Sequence, residues 1–202
     1  MRRTITFLTV TALLGVGADA AAQATGTPTF NAPYRAFTRS EFGALLSFPE
    51  GGGLALEGAY RLASGRFDIG FKAGFFDPEG PGDAVVLVGA EARQQVIRHT
   101  VDFPLDGALV LGVGGQFVSD NSLLIVPVGL SLGRRIDPEG STISIVPYLQ
   151  PTLFILGGDV PDHVQFALGL GADFRVTPRF DGRIAAGIGD LEGVSLGFVW
   201  VH

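Results

Sequence analysis

The sequence predicts an all-β fold: a single up-and-down antiparallel β-barrel of ten strands, with eight as the second choice. Ten stretches between residues 37 and 202 alternate apolar residues with small or polar ones, and almost every charge within them falls on one parity. Turn-forming residues separate these stretches at intervals of about 16 residues. The stretch Phe67 to Phe75 is plainest. Phe67, Ile69, Phe71, Ala73 and Phe75 share one parity and Asp68, Gly70, Lys72 and Gly74 the other. Successive side chains of a strand point to opposite faces, so this segment has an apolar side and a charged side.

The other strands follow in order. The first runs near Phe37–Phe48, with Phe42, Ala44, Leu46 and Phe48 on its apolar side, and ends at Pro49-Glu50-Gly51-Gly52. The second sets Leu54, Leu56, Tyr60 and Leu62 against Glu57 and Arg61, and Ala63-Ser64-Gly65 turns it into the third. After the loop Asp77–Asp83, the fourth sets Val86, Val88, Ala90 and Ala92 against Glu91, Arg93 and Gln95. The fifth has Leu109, Leu111, Val113 and Phe117 opposite Gly112, Gly114 and Gln116; the sixth has Leu124, Val126, Val128, Leu130 and Leu132 opposite Gly129, Ser131 and Gly133. The seventh sets Ile143, Ile145, Leu149, Leu153 and Ile155 against Ser144, Tyr148, Gln150 and Thr152. The eighth has Phe166, Leu168, Leu170, Ala172 and Phe174 opposite Gln165, Asp173 and Arg175; the ninth has Ile184, Ala186 and Ile188 opposite Asp181, Arg183 and Gly187. The last has Val194, Leu196, Phe198 and Trp200 opposite Ser195 and Gly197. Pro127, Pro147 and Pro151 fall inside the sixth and seventh strands, where each removes a ladder donor and calls for a bulge or bend.

Residues 1–22 read as a secretory signal peptide: basic Arg2 and Arg3, a short apolar run Ile5–Val16, and small residues at Ala18-Asp19-Ala20 or Ala20-Ala21-Ala22. Residues 23–36 are rich in Thr, Pro and Ala, show no useful period, and read as a periplasmic N-terminal lead-in to a barrel at 37–202. Taking Arg2, Arg3 and Asp19 from the 14 basic and 20 acidic residues leaves 12 and 19, a net charge of −7. Such a balance lacks the basic face that nucleic acid requires. With no cysteine there is no disulfide, thiolate metal site or lipid-anchored cysteine. Beyond the signal no uninterrupted apolar stretch approaches the roughly 18 residues of a membrane helix.

The two faces then have to be assigned to their solvents. The polar parity carries Glu57, Arg61, Asp68, Lys72, Glu91, Arg93, Asp173, Arg175, Asp181 and Arg183, balanced in sign. Arg39 and Glu41 add a further pair at the uncertain start of the first strand. A surface in water has no need of balance, whereas charges withdrawn from bulk water are tolerable only when paired. The polar face is therefore expected to line a narrow lumen, and the apolar face to meet lipid. The turns agree. One alternate set holds Glu50, Asp77, Glu79, Asp83, Asp120, Asp159, Asp162, Asp190 and Glu192 with no Lys or Arg. The other set and its flanks hold Arg61 and Arg66, Arg93 and Arg98, Arg134 and Arg135, and Arg175 and Arg179, beside Asp102, Asp106, Asp137 and Glu139. An N-terminus in the periplasm would put the purely acidic loops outside the cell.

In this pattern the chain resembles the small outer-membrane β-barrels of Gram-negative bacteria, of the OmpA/OmpX/OmpW kind. The most specific piece is the C-terminal strand Val194–His202, with Val194, Leu196, Phe198 and Trp200 alternating. In that family such a strand ends in an aromatic residue read by the barrel-assembly machinery; here the last residue is His202. The resemblance implies an outer-membrane location, outer-membrane lipid as the surrounding partner and the assembly machinery as a partner in biogenesis.

Catalytic and metal chemistry find little support. His99, His163 and His202 lie in separate segments, and Asp162-His163 has no third group at matching spacing. Asp77, Glu79 and Asp83 lack the spacing of an EF-hand. Gly51-Gly52-Gly53 and Gly112-Val113-Gly114-Gly115 have no strand–loop–helix setting for phosphate. The expectation is a non-enzymatic barrel without cofactor or metal. Its lumen is largely closed by the charge network, and it acts structurally or through acidic outer loops whose partner the sequence does not name. The alternatives are a narrow pore for water, ions or small solutes, and a soluble periplasmic barrel holding an apolar ligand, which would need the apolar parity inside.

Overall fold

A computed structural model describes residues 24–33, 39–119, 121–161 and 163–202. The signal at 1–22, Gln23 and residues 34–36 of the lead-in, Phe37 and Thr38 at the start of the first predicted strand, Asp120 and Asp162 lie outside the described residues.

Ten strands follow one another: β1 Glu41–Pro49, β2 Leu54–Ser64, β3 Phe67–Asp77, β4 Val85–Ile97, β5 Asp106–Val118, β6 Asn121–Gly133, β7 Ser144–Gly158, β8 His163–Thr177, β9 Phe180–Gly189 and β10 Gly193–Val201. Each pairs antiparallel with its sequence neighbours, and β1 pairs with β10 to close the barrel. That seam runs in unbroken register from Glu41 opposite Val201 to Pro49 opposite Gly193. β1 and β10 are the shortest strands at nine residues each. Tilted as in membrane barrels, nine residues still rise about 23 Å, close to the height of a hydrocarbon band.

The alternation read from the sequence is the alternation of the wall. Phe75 (62 % exposed), Phe198 (59 %) and Leu56 (56 %) point outward. Residues of the opposite parity on the same strands, Glu57, Lys72 and Ser195, are buried inside. A barrel binding an apolar ligand in water needs the reverse, so that reading is corrected: the apolar parity is outside.

The prolines are absorbed by breaks in the ladder. Between β5 and β6 the paired residues pass from Leu111/Val128 to Gly114/Ile125, skipping Pro127. Between β6 and β7 they pass from Gly129/Thr152 to Leu132/Leu149, skipping Pro151. Pro147 sits just beyond the last β6 pair, Gly133/Tyr148, where its missing N–H breaks no ladder bond.

One expectation is overturned. The described part of the lead-in, residues 24–33, is not outside the barrel but inside it: every residue from Ala24 to Pro33 is buried. Ala24 lies against Gly89 and Gly112, in the half of the barrel that opens on the acidic turns. Pro33 lies against Gly133, near the opposite end, where β1 begins and β10 ends. The segment threads the lumen lengthwise. The physical reason is space. Eight strands leave room only for side chains, and ten enclose a wider bore that one chain segment fills.

Candidate functional site

Among the described residues polar chemistry is concentrated in the lumen, which is built from the strands inward. Of the charges on the polar parity, Glu57, Arg61, Asp68, Lys72, Glu91, Arg93, Asp173 and Asp181 are buried, and Arg175 and Arg183 are partly buried. Their partners differ from the sequence pairing. Residues two apart on one strand are separated along it by almost 7 Å, whereas opposite residues on neighbouring strands have Cβ atoms about 5 Å apart. The ion pairs accordingly run across strands. Asp68 accepts from Arg93 Nη2 at 3.1 Å and also from Arg61, and Arg61 pairs with Glu91. Arg183 clasps Glu41 with both terminal nitrogens, at 2.9 and 2.8 Å, while its Nε stands 3.1 Å from Asp173. Arg175 lies opposite Asp181 in the β8–β9 register. Of the pair at the start of the first strand, Glu41 joins this network and Arg39 does not: it donates to the Pro178 carbonyl at the barrel end.

Residues 24–33 are fastened to this wall mainly by their main-chain carbonyls. Gln116 of β5 donates to Thr25 O at 3.3 Å, Ser195 of β10 to Pro28 O at 2.7 Å and Lys72 of β3 to Thr29 O at 3.3 Å. Tyr148 of β7 donates to Phe30 O at 2.8 Å, Ser131 of β6 to Asn31 O at 2.7 Å and Arg93 of β4 to Ala32 O at 2.7 Å. Each of those donors comes from a different strand. Buried carbonyls need such partners, because an unsatisfied one costs about 1–3 kcal/mol.

The side chains add direction. Thr27 donates to Glu57 Oε2 at 2.6 Å, Thr29 Oγ1 accepts from Lys72 Nζ at 2.7 Å, and Asn31 Nδ2 donates to Glu91 at 3.3 Å. Asn31 Oδ1 accepts from Arg183 at 3.4 Å, and its backbone N–H donates to Gln150 at 3.4 Å. On the other parity, Phe30 and Ala32 join a cluster with Ile125, Val146, Tyr148, Phe154 and Leu156. Gly169 makes room for the Phe30 ring, which any Cβ there would overlap. Beside the segment, two small cavities of about 20 Å³ each remain. One is bordered by Asn31, Glu41, Lys72 and Arg183, the other by Ala32, Arg135, Asp173 and Asp181. Each has room for about one water molecule.

The remaining candidates stay apart. Among the described residues no three His, Cys, Asp or Glu side chains stand close enough to hold a metal ion. His163 meets the Pro161 carbonyl, and its neighbour Asp162 lies outside the described residues. His99 meets Asp106 at 2.9 Å in the loop before β5. Acidic-end residues hold their own turns: Asp159 accepts from the backbone N–H and hydroxyl of Ser122, and Asp190 from the N–H of Phe166. Val194, Leu196, Phe198 and Trp200 face outward on the closing strand. The His202 ring lies 6.1 Å from Phe42 and 6.0 Å from Tyr60, extending the aromatic group at that end.

Among known proteins, no family model and no curated sequence matches this chain. Solved structures of similar shape include a de novo designed transmembrane β-barrel, 13 % identical with a TM-score of 0.41, covering 81 % of this chain and 95 % of that one. Another is the β domain of the Bordetella autotransporter BrkA, 12 % identical with a TM-score of 0.38, covering 80 % of this chain and 97 % of that one.

Proposed function

We propose that this protein is a non-enzymatic integral outer-membrane β-barrel whose lumen is closed in its resting form. It is held shut by its charge network and by residues 24–33, and it acts as a structural element or through its acidic loops. The observation that carries the reading is the contrast between the two faces of the wall. Large apolar side chains stand exposed around the whole circumference while ionised groups are buried inside. Water would reward the reverse, and lipid rewards this one. Outer-membrane lipid is then the surrounding medium, and the alternating strand ending in Trp200 and His202 is the element offered to the assembly machinery, as in the OmpA/OmpX/OmpW-like barrels it resembles. Export through a signal at residues 1–22 supplies the route. A narrow open pore is the second reading, disfavoured by the filled lumen.

The test is electrophoresis of the membrane fraction in SDS, unboiled against boiled. A faster unboiled band in outer-membrane material is expected. A detergent-independent soluble protein whose mobility is unchanged by boiling would overturn the reading.

A further inference from the structure

Residues 24–33 are a loose kind of occupant. They belong to no strand of the barrel, and they are recognised largely through main-chain carbonyls, which a peptide of any sequence carries. Three of the donors, Ser131, Tyr148 and Ser195, are neutral hydroxyls reaching in from separate strands. The wall is also hollowed to the segment's outline. A Cβ at Gly89 would meet Ala24 Cβ first, at 2.8 Å, and one at Gly114 would meet the Ala24 carbonyl first. Gly169 does the same for Phe30. Two strand residues that carry charge, Glu57 and Lys72, turn to Thr27 and Thr29. These features together describe a binding groove for a short peptide, rolled into a tube.

We propose that the lumen is a peptide-binding site whose resident ligand is the chain's own segment 24–33, and that the barrel without this segment is an open pore that the same peptide closes in trans. The inference rests on the membrane-barrel reading above. The ligand class is a short, uncharged peptide that turns over its first five residues, with Gly26 at φ 72°, and runs on without regular structure through residues 29–32. Hydroxyl or amide side chains at alternate positions meet Glu57, Lys72 and Glu91, and one aromatic side chain enters the recess at Gly169. A charged side chain in place of Phe30 would be excluded by the apolar cluster there.

The experiment compares the full chain with a variant lacking residues 24–33, both refolded into detergent and checked for a boiling-dependent mobility shift before insertion in planar bilayers. The full chain is expected to be silent and the deletion variant to conduct steadily. Micromolar synthetic peptide of sequence ATGTPTFNAP should reduce that conductance at least tenfold, and a peptide with Asp in place of Phe should leave it unchanged. A second variant retains the whole chain but removes the three hydroxyl donors: Ser131→Ala, Tyr148→Phe and Ser195→Ala. It should open intermittently, and it is the deciding sample if the deletion variant does not fold. Absence of the mobility shift in the full chain would sink the membrane-barrel reading itself. A shifted but silent deletion variant would overturn the peptide-site proposal and leave the barrel reading standing. So would a silent triple variant where the deletion fails to fold, or conductance unaffected by the peptide.

Discussion

The lumen has two unlike walls. On β2, β3 and β4 the inward side chains include Glu57, Arg61, Asp68, Lys72, Glu91 and Arg93, an almost continuous field of ions. On β6 and β7 there is no charged residue at all, and Ile125, Phe154 and Leu156 are fully or nearly fully buried beside Tyr148 and Gln150. The threaded segment has one edge for each: Thr27, Thr29 and Asn31 meet the ionic wall, and Phe30 and Ala32 meet the apolar cluster. Hydrogen bonds to ions fix its register, and burial of the aromatic ring fixes its rotation about the axis. Either wall alone would leave one of these free.

The contrast can be broken from the ionic side first. Asp68, fully buried, holds both Arg61 and Arg93. Asp68→Asn should destabilise the folded barrel by about 3–5 kcal/mol, because it leaves two buried guanidinium groups without their shared carboxylate. Denaturant titration of the detergent-refolded protein reads this directly, and a change below about 1 kcal/mol would contradict the network's structural role.

From the apolar side the effect is next in size. Phe30→Ala should cost about 3 kcal/mol through the cavity it leaves. A double-mutant cycle sharpens the assignment. Gly169→Ala should cost about 1–3 kcal/mol with Phe30 present, through overpacking, and close to nothing once residue 30 is Ala. Equal costs in both backgrounds would mean that the ring does not occupy that recess. Tyr148→Phe is smaller, about 1 kcal/mol, since one buried carbonyl loses its donor while the ring stays.

The smallest effect lies at the acidic end. The Ser122 hydroxyl, and then the Ser122 N–H, hold the Asp159 carboxyl below its ordinary 3.8. A depressed folded value means that the turn's extra stability is present above the unfolded value and is lost as pH falls through the lower folded one. The Ser122 amide resonance should therefore titrate below pH 3.8, and Asp159→Asn should abolish that titration. An unchanged resonance from pH 6 down to about 2 would show that the carboxylate does not hold the turn.

How much of this was legible in the sequence follows from what a period can encode. Strand faces were, because Phe67–Phe75 and its counterparts alternate so cleanly that each side chain's wall can be assigned without knowing any neighbour. The ten inward charges followed from the same parity. Their partners did not, because Asp68 finds Arg93 only through the β3–β4 register, which sequence spacing along one strand does not contain. The threaded segment was misplaced for a different reason. Its hydroxyl and amide residues do alternate, at Thr25, Thr27, Thr29 and Asn31, but on the other parity Ala24, Gly26, Pro28 and Ala32 give little apolar contrast and Phe30 stands alone. Gly26 and Pro28 also read as loop punctuation. Nothing local says that a chain segment fills a bore which the barrel creates only on closing. The signal that could have found it is the surplus of lumen hydroxyls, Ser131, Tyr148 and Ser195, with no charge on their own strands to satisfy.

Everything the lumen is proposed to do depends on where residues 24–33 lie. The chain has no cysteine, so a single Thr25→Cys substitution reports on one buried site without background. Its reaction with a membrane-impermeant maleimide in the folded barrel should be compared with that of Ser141→Cys, in an exposed turn. The account predicts that the residue 25 thiol is labelled at least a hundredfold more slowly, with full labelling after boiling in SDS. Equal labelling rates in the unboiled, mobility-shifted protein would place the segment outside the lumen and contradict it.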